Sequence, residues 1–338
     1  MAKRRLTERQ RERIKAIQER RRDKLEQQTD LALSEADEGQ SREGLVVTRH
    51  GQNLVVTDDS GRYTHCLSRQ NIGQVVCGDR VVWQATGDNQ GVVTAILPRA
   101  TALIRPNFSG EDRALAANIS QLVVVLAPEP APTPYLVDQY LVAAEQIGVN
   151  TLIALNKRDL MDRDALHRFE QQFGHYTGIG YPLIEISAKY EHGLDPLIAQ
   201  LKDQTSILVG QSGVGKSSLV MALLPDIEIQ IGRLSVASGL GRHTTSATTL
   251  YHLPTGGQLI DSPGVRSFRL GQLSLDALAG GFIEFHDFLG HCRFSNCSHQ
   301  HEPGCALQAA VASGKIAPQR LANYLHMAAG MNAHHGQG

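Results

Sequence analysis

The stretch GQSGVGKSS, Gly210 to Ser218, follows the apolar run SILV and leads into SSLVMALL. It matches GxxxxGKS in the strand-then-helix setting that a phosphate-binding loop needs. Glycine at Gly210, Gly213 and Gly215 lets the backbone curl, so that the N–H groups of Gln211, Ser212 and Val214 can turn toward phosphate oxygens. The helix that follows adds its positive end. Lys216 is then expected to bridge the β- and γ-phosphates, Ser217 to hold Mg²⁺ through its hydroxyl, and Ser218 to complete the first helical turn at the phosphates.

A phosphate loop does not name the base, and a second motif does. In ALNKRDL, Ala154 to Leu160, the tetrapeptide NKRD offers the Asp159 carboxylate to guanine N1–H and its 2-amino group. Adenine has neither donor, so it would leave that carboxylate unpaired. Asn156 is expected on the base edge and the Lys157 stem over its face, with Arg158 in the same turn. After the next strand comes ISAK, where Ala188, between Ser187 and Lys189, presents a backbone N–H to the 6-oxo group. Further on, DSPG fits a loop in which Asp261 contacts Mg²⁺ through water and the Gly264 N–H meets the γ-phosphate. Between them lies ASGLGRHTTSATTLY, whose Thr244 or Thr245 would reach Mg²⁺ only with a γ-phosphate present, as a first switch does. His243 is a candidate catalytic residue there.

The order is rotated, because the base reader precedes the phosphate loop. A doubly wound sheet tolerates this, since each motif occupies its own βα turn and a rotated chain can keep the same strand ends in space.

A third group of residues points to a metal. Three of the five cysteines crowd into CRFSNCSHQHEPGC, and Cys292, Cys297 and Cys305 with one histidine suffice for a closed tetrahedral Zn²⁺ site. His299, His301 and His291 compete for the fourth position. The expectation is structural zinc in a helical module too small to be stable without it. Cys66 and Cys77 read as plain core residues.

These sites need elements to hold them. A chain of 338 residues suggests two or three domains. With 41% hydrophobic and 20% charged residues, it can bury a sizeable core. No apolar run reaches the roughly 20 residues of a membrane helix, and no secretory leader is evident, so the expectation is a cytoplasmic protein. The first 24 residues hold eleven Lys or Arg against four Glu or Asp, a basic arm suited to a polyanion such as RNA. From Gln27 to Glu43 the composition is that of a linker.

LVVTRHG, NLVVTDDSGR, QVVCGDRVVWQA and GVVTAIL, separated by turn residues, predict about five antiparallel strands closing into an OB-type barrel. Arg62, Tyr63, His65, Arg69, Arg80 and Trp83 could supply charge and stacking for RNA on its face. Residues 105–275 alternate strands (QLVVVLAP, TLIALNK, PLIEISAK, TSILVGQ, GQLIDSPG) with helices (PYLVDQYLVAAEQIG, DRDALHRFEQQF, LDPLIAQLK), an α/β pattern. Helical stretches LDALAGGFIEFHDFL and QRLANYLHMAA flank the cysteine cluster. The expected organisation is a basic arm and linker (1–43), an OB-fold barrel (44–103), a circularly permuted P-loop GTPase domain (104–275) and a mostly helical zinc-binding domain (276–338).

With NKRD, GQSGVGKSS, GRHTT, DSPG and the C-x4-C-x-H-x5-C spacing all following an N-terminal barrel, nearly the whole chain resembles the bacterial circularly permuted GTPases called ribosome small-subunit-dependent GTPase A. The resemblance selects His299 as fourth zinc ligand. It implies hydrolysis of GTP to GDP and phosphate, stimulated by the small (30S) ribosomal subunit, binding to 16S rRNA and a late role in maturation of that subunit, by a protein expected to be monomeric. Val265 follows DSPG where many GTPases place a water-orienting glutamine, so slow hydrolysis by the free protein is expected. Two other readings are a P-loop kinase or ATPase, which leaves NKRD and SAK without purpose, and an RNA-binding scaffold in which GTP is mainly a structural ligand.

Overall fold

The structure is a computed structural model that describes residues 41–51, 53–105, 113–190, 192–228, 230, 248–262 and 273–335. The basic arm, His243, Thr244, Thr245, Gly264 and Val265 lie outside the described residues. The chain divides into two compact units, one holding the barrel up to Arg99 and the other running over 100–228 and from Thr248 onward.

In the first unit β1 (Arg42–His50), β2 (Asn53–Thr57), β3 (Tyr63–Ser68), β4 (Arg80–Gly87) and β5 (Gln90–Ile96) form a sheet in the order β1-β2-β3-β5-β4, which closes because β4 pairs back onto β1. Alternating side chains of these strands fill the interior with Val46, Leu54, Val56, Cys66, Val81, Trp83 and Val93. One expectation about the strands is corrected. The barrel is not wholly antiparallel, since β3 and β5 run parallel, the chain having crossed between them by a 3₁₀ turn at Gln70–Ile72 and by β4. Within QVVCGDRVVWQA the chain turns at Gly78, among the turn residues expected there. Asp79 turns inward, is fully buried, accepts the Val76 N–H at 2.7 Å and is gripped by Arg99 at 2.6 and 2.8 Å, so β4 starts only at Arg80. Trp83 is 1% exposed and occupies the barrel interior, where Gly91 leaves it room, a Cβ there lying 2.7 Å from the indole. It cannot stack on a base. Arg62 and Arg80 are exposed and Tyr63, His65 and Arg69 half-buried, while Cys66 and Cys77 are core residues.

The second unit begins with a hairpin of β6 (Ala102–Arg105) and β7 (Arg113–Ala117). Its main sheet contains β8 (Gln121–Leu126), β9 (Asn150–Leu155), β10 (Leu183–Glu185), β11 (Thr205–Val209), β12 (Thr249–His252) and β13 (Gln258–Asp261), in the order β10-β9-β8-β11-β13-β12. All pairings are parallel except β12–β13, a strand the sequence reading did not name. All six residues of β8 are buried, as a central parallel strand requires.

Helix α1 (Pro134–Ile147) is capped by the Thr133 hydroxyl and closed by Gly148 at φ 76°. The Asp162 carboxylate caps α2 (Arg163–Phe173), and α3 (His175–Gly178), α4 (Asp195–Leu201) and α5 (Lys216–Leu223) follow.

The C-terminal part is helical: α6 (Leu275–Gly280), α7 (Ala306–Ala312) and α8 (Pro318–His335). LDALAGGFIEFHDFL is not one continuous helix. It breaks at Gly281, which packs so closely on α1 that a Cβ there would lie 2.7 Å from the Val142 side chain. Val142 shares a core with Leu278, Phe282, Phe285, Leu307, Tyr324 and Met327.

Within that packing, Arg320 of α8 is 1% exposed. It donates to Asp138 of α1 at 2.6 Å and to Glu284 at 2.6 and 2.8 Å, while Asn323 and Tyr176 also donate to Asp138. Arg320→Met would strand two buried carboxylates, so the helical unfolding transition followed by circular dichroism should lose about 3–5 kcal/mol. The single tryptophan, Trp83, reports the barrel separately, and its fluorescence transition should stay in place.

Candidate nucleotide and metal sites

The parallel strands end on one edge of the sheet, where the motifs gather: Asn156 after β9, Ser187 after β10, Gly210 after β11 and Asp261 at the end of β13. Gly215, at φ 96°, turns the phosphate loop into α5 and brings Ser217 and Ser218, both exposed, into the first helical turn. A Cβ at Gly215 would meet the Asn156 amide nitrogen at 2.5 Å. The Lys216 ammonium lies along the loop, donating to the carbonyls of Gly210 and Gln211 at 2.7 and 2.6 Å.

NKRD is bonded to that loop. Asn156 is 2% exposed and its amide nitrogen donates to the Val214 carbonyl at 2.9 Å, so its side chain braces the loop. Lys157 adopts the left-handed conformation at φ 59°, and its ammonium donates to Gly213 at 2.7 Å and to Glu129 at 3.3 Å. Arg158 faces away from the loop, its guanidinium holding Glu185 of β10 at 2.6 Å. Asp159 accepts from the Ser187 hydroxyl at 2.7 Å, and Lys189 lies 3.6 Å from its other oxygen. The Ser187 hydrogen bond, with the Lys189 charge behind it, holds the Asp159 carboxyl below its ordinary range. NKRD and SAK are thereby one assembly.

Asp261 is exposed at its strand end, and Ser262 of DSPG pairs with Thr248 at 2.9 Å. One contributor escaped the sequence reading: Tyr140 of α1, 3% exposed, whose hydroxyl takes the backbone N–H of Gly210. Nothing local distinguishes it from any other aromatic on the buried face of a helix.

In the helical part, Cys292, Cys297, His299 and Cys305 place their donor atoms within 4.8 Å of one another. Among the described residues, His291 and His301 do not join them. Metal–sulfur and metal–nitrogen bonds of about 2.3 and 2.05 Å in a tetrahedron give edges of about 3.8 Å between sulfurs and about 3.6 Å between sulfur and nitrogen. The corresponding separations are 3.9 Å for Cys292–Cys305, and 3.5 and 3.4 Å from His299 Nδ1 to those two sulfurs. The set therefore fits a metal ion. Burial and the neighbouring sulfurs push the Cys297 thiol up to about 12, an opposition to thiolate formation that a bound cation reverses.

A doubly wound sheet with a phosphate loop, a guanine-type NKRD and SAK pair, and β8 lying beside β11 in rotated order defines a circularly permuted P-loop GTPase. The RsgA GTPase family model matches residues 96–271. The chain is 46% identical over 334 residues to the "Small ribosomal subunit biogenesis GTPase RsgA" of Pseudomonas aeruginosa (strain LESB58), and 44% identical over 338 residues to the protein of that name from Azotobacter vinelandii, each match covering 98% of both chains. Among solved structures it resembles YjeQ from Thermotoga maritima, with a TM-score of 0.71 at 33% identity, covering 85% of this chain and 97% of that one. It also resembles YloQ, described as a circularly permuted GTPase, with a TM-score of 0.70 at 28% identity, covering 87% and 96%. The chain belongs to the RsgA GTPase family and is a GTP hydrolase.

Gly215→Ala tests the brace between Asn156 and the loop. Positive φ and the close approach together should weaken binding of a fluorescent guanine nucleotide about tenfold or more, while the far-ultraviolet circular dichroism remains that of the parent.

Proposed function

We propose that this GTPase binds the small (30S) ribosomal subunit and its 16S rRNA, assists late maturation of the subunit, and hydrolyses GTP to GDP and phosphate with stimulation by it. The family and the names its relatives carry support the setting. What supports the chemistry most is the tie of Lys157 and Asn156 to Gly213 and Val214, which fixes the base reader and the phosphate loop relative to each other. Asp159, shaped by Ser187 and Lys189, selects guanine with the Ala188 N–H, while the loop amides and Lys216 receive the phosphates. Ser217 and Asp261, with Thr245, would hold Mg²⁺, which neutralises charge between the β- and γ-phosphates. His243, Thr244 and the Gly264 N–H complete the proposed catalytic group.

The Cys₃His set would hold one structural Zn²⁺, because its thiolates and imidazole close the tetrahedron and leave no open position for catalytic water. Arg62, Tyr63, His65, Arg69 and Arg80 on the barrel, with the basic arm, are the proposed RNA-facing groups. The division of labour follows the segments 1–43, 44–103, 104–275 and 276–338, in a cytoplasmic monomer. Among the described residues no helix is long and apolar enough to cross a membrane.

GTP turnover measured with and without purified small subunits decides the proposal. Stimulation of about tenfold or more is expected, and equal rates would sink it. Lys216→Ala should reduce stimulated turnover about a hundredfold or more. Asp159→Asn should instead erode preference for guanine about tenfold or more, and retained selectivity would move the base site elsewhere.

Protonation of Asp159 also sets an acid limit. Its lowered value means guanine recognition persists above that value and is lost as pH falls through it. Ser187→Ala removes the largest cause of the lowering, so the acid limb of GTP affinity should move to higher pH. An unmoved limb would show that Ser187 does not set the charge of Asp159.

A further inference from the structure

The loop that carries His299 is folded around a carboxylate with no part in the site so far described. Glu302 collects four donors. One oxygen accepts the Ser298 backbone N–H at 2.9 Å and the Ser298 hydroxyl at 2.5 Å, and the other accepts the backbone N–H groups of Gln300 and His301, both at 3.1 Å. From α7, the Gln308 amide donates to the carbonyls of His299 at 2.8 Å and Gln300 at 3.1 Å. The peptide that follows His299 is therefore held at both its C=O and its N–H, and Ser298 before it is held by its own N–H and hydroxyl, although Ser298 and Gln300 themselves are exposed.

This fixing has a consequence at His299, which sits at φ 61°, in the left-handed region that residues with a Cβ adopt only uncommonly. In that conformation its Nδ1 comes within 3.5 Å of Cys292 and 3.4 Å of Cys305. Left to local preference, the residue would leave this region of φ and carry its ring away from the sulfurs. Glu302 supplies no metal ligand of its own, since it stands outside the group whose donors lie within 4.8 Å of one another and its oxygens are committed to the loop.

We propose that Glu302 is the positioning residue of the metal centre: by gathering the N–H groups of Ser298, Gln300 and His301 it holds His299 in its left-handed conformation before an ion arrives. The proposal rests on the Cys₃His set binding a metal. Ordering of the loop is then built into the protein, and removing the staple shifts that ordering onto the binding step.

The test is Zn²⁺ affinity of the full-length protein, by competition with a chromogenic chelator, for the parent and for Glu302→Gln. The variant keeps the side chain's length but replaces one acceptor oxygen with a donor. Its affinity should fall roughly 10- to 100-fold. The visible bands of the Co²⁺-loaded variant should match the parent, because the ligands are unchanged. An affinity within about twofold of the parent overturns the proposal. Altered Co²⁺ bands overturn it too, since they would show that Glu302 shapes the bound ligand set itself rather than ordering the loop before binding. If Glu302→Gln is not recovered folded, Ser298→Ala and Gln308→Ala carry the measurement, each with a loss of about fivefold, and unchanged affinity in both is the negative result. A parent protein that takes up neither ion removes the metal reading itself, an outcome distinct from a parent that binds beside a variant that binds equally well.

Discussion

Arg320 lies 182 positions from Asp138, and their contact is the constraint on which the second unit depends. One cation faces two carboxylates with almost no water: Arg320 is 1% exposed, and the side chains of Asp138 and Glu284 are 0% and 7% exposed. Burial pushes the Asp138 carboxyl upward, against the pull of Arg320, Tyr176 and Asn323. Burial would likewise lower Arg320, which Glu284 and Asp138 hold above its ordinary value. Such a cluster adds little net stability compared with a well-packed apolar core, but it penalises any arrangement that leaves a member alone. Its effect is registry. The guanidinium also lies 4.4 Å over the Phe282 ring, so α8 meets α1 in one rotation and at one height.

Because α1 is fixed this way, more follows than the docking of two helices. Asp138 and Tyr140, two residues apart on α1, point in different directions, one into the Arg320 cluster and the other to the backbone of Gly210. The same helix is gripped by the C-terminal helices and in turn supports the start of the phosphate loop. From the metal side, the His299 ring meets Tyr324 edge-on at 6.1 Å, and Tyr324 packs on Phe282 and Phe285, the aromatic floor beneath Arg320. The helical part shares a hydrophobic core with Val142 of α1, so its packing is continuous with the GTPase domain's own helix.

Rotation of the motif order leaves the site intact for a geometric reason. β8 lies beside β11, pairing Gln121 with Ser206 and Val124 with Val209, although some 80 residues separate them. In a parallel sheet every strand delivers its loop to the same edge, and neighbours in space need not be neighbours in sequence. What has to be conserved is contact between loops. Lys157 reaching Gly213 and Asn156 reaching Val214 supply that contact from a strand made earlier in the chain.

What could be read in the sequence follows the same division. Loop chemistry was legible, because phosphate, guanine and metal each impose residue types at short fixed spacings, and the structure brings Asn156, Ser187 and Gly210 to one edge and the three cysteines to His299. The strands of the parallel sheet were legible from their apolar runs. The parallel pairing of β3 and β5 was not, since alternation announces a strand but not its direction or partner. Trp83 was ambiguous for a related reason: an aromatic on a strand suits an interior and a binding face equally, and only closure of the barrel decides which side it occupies. Arg320, Tyr140 and Glu302 were silent because each owes its role to a partner that the fold supplies. An arginine in a helix reads as solvated, a tyrosine as core and a glutamate in a loop as surface, until the chain brings Asp138, Gly210 and the amides around His299 against them.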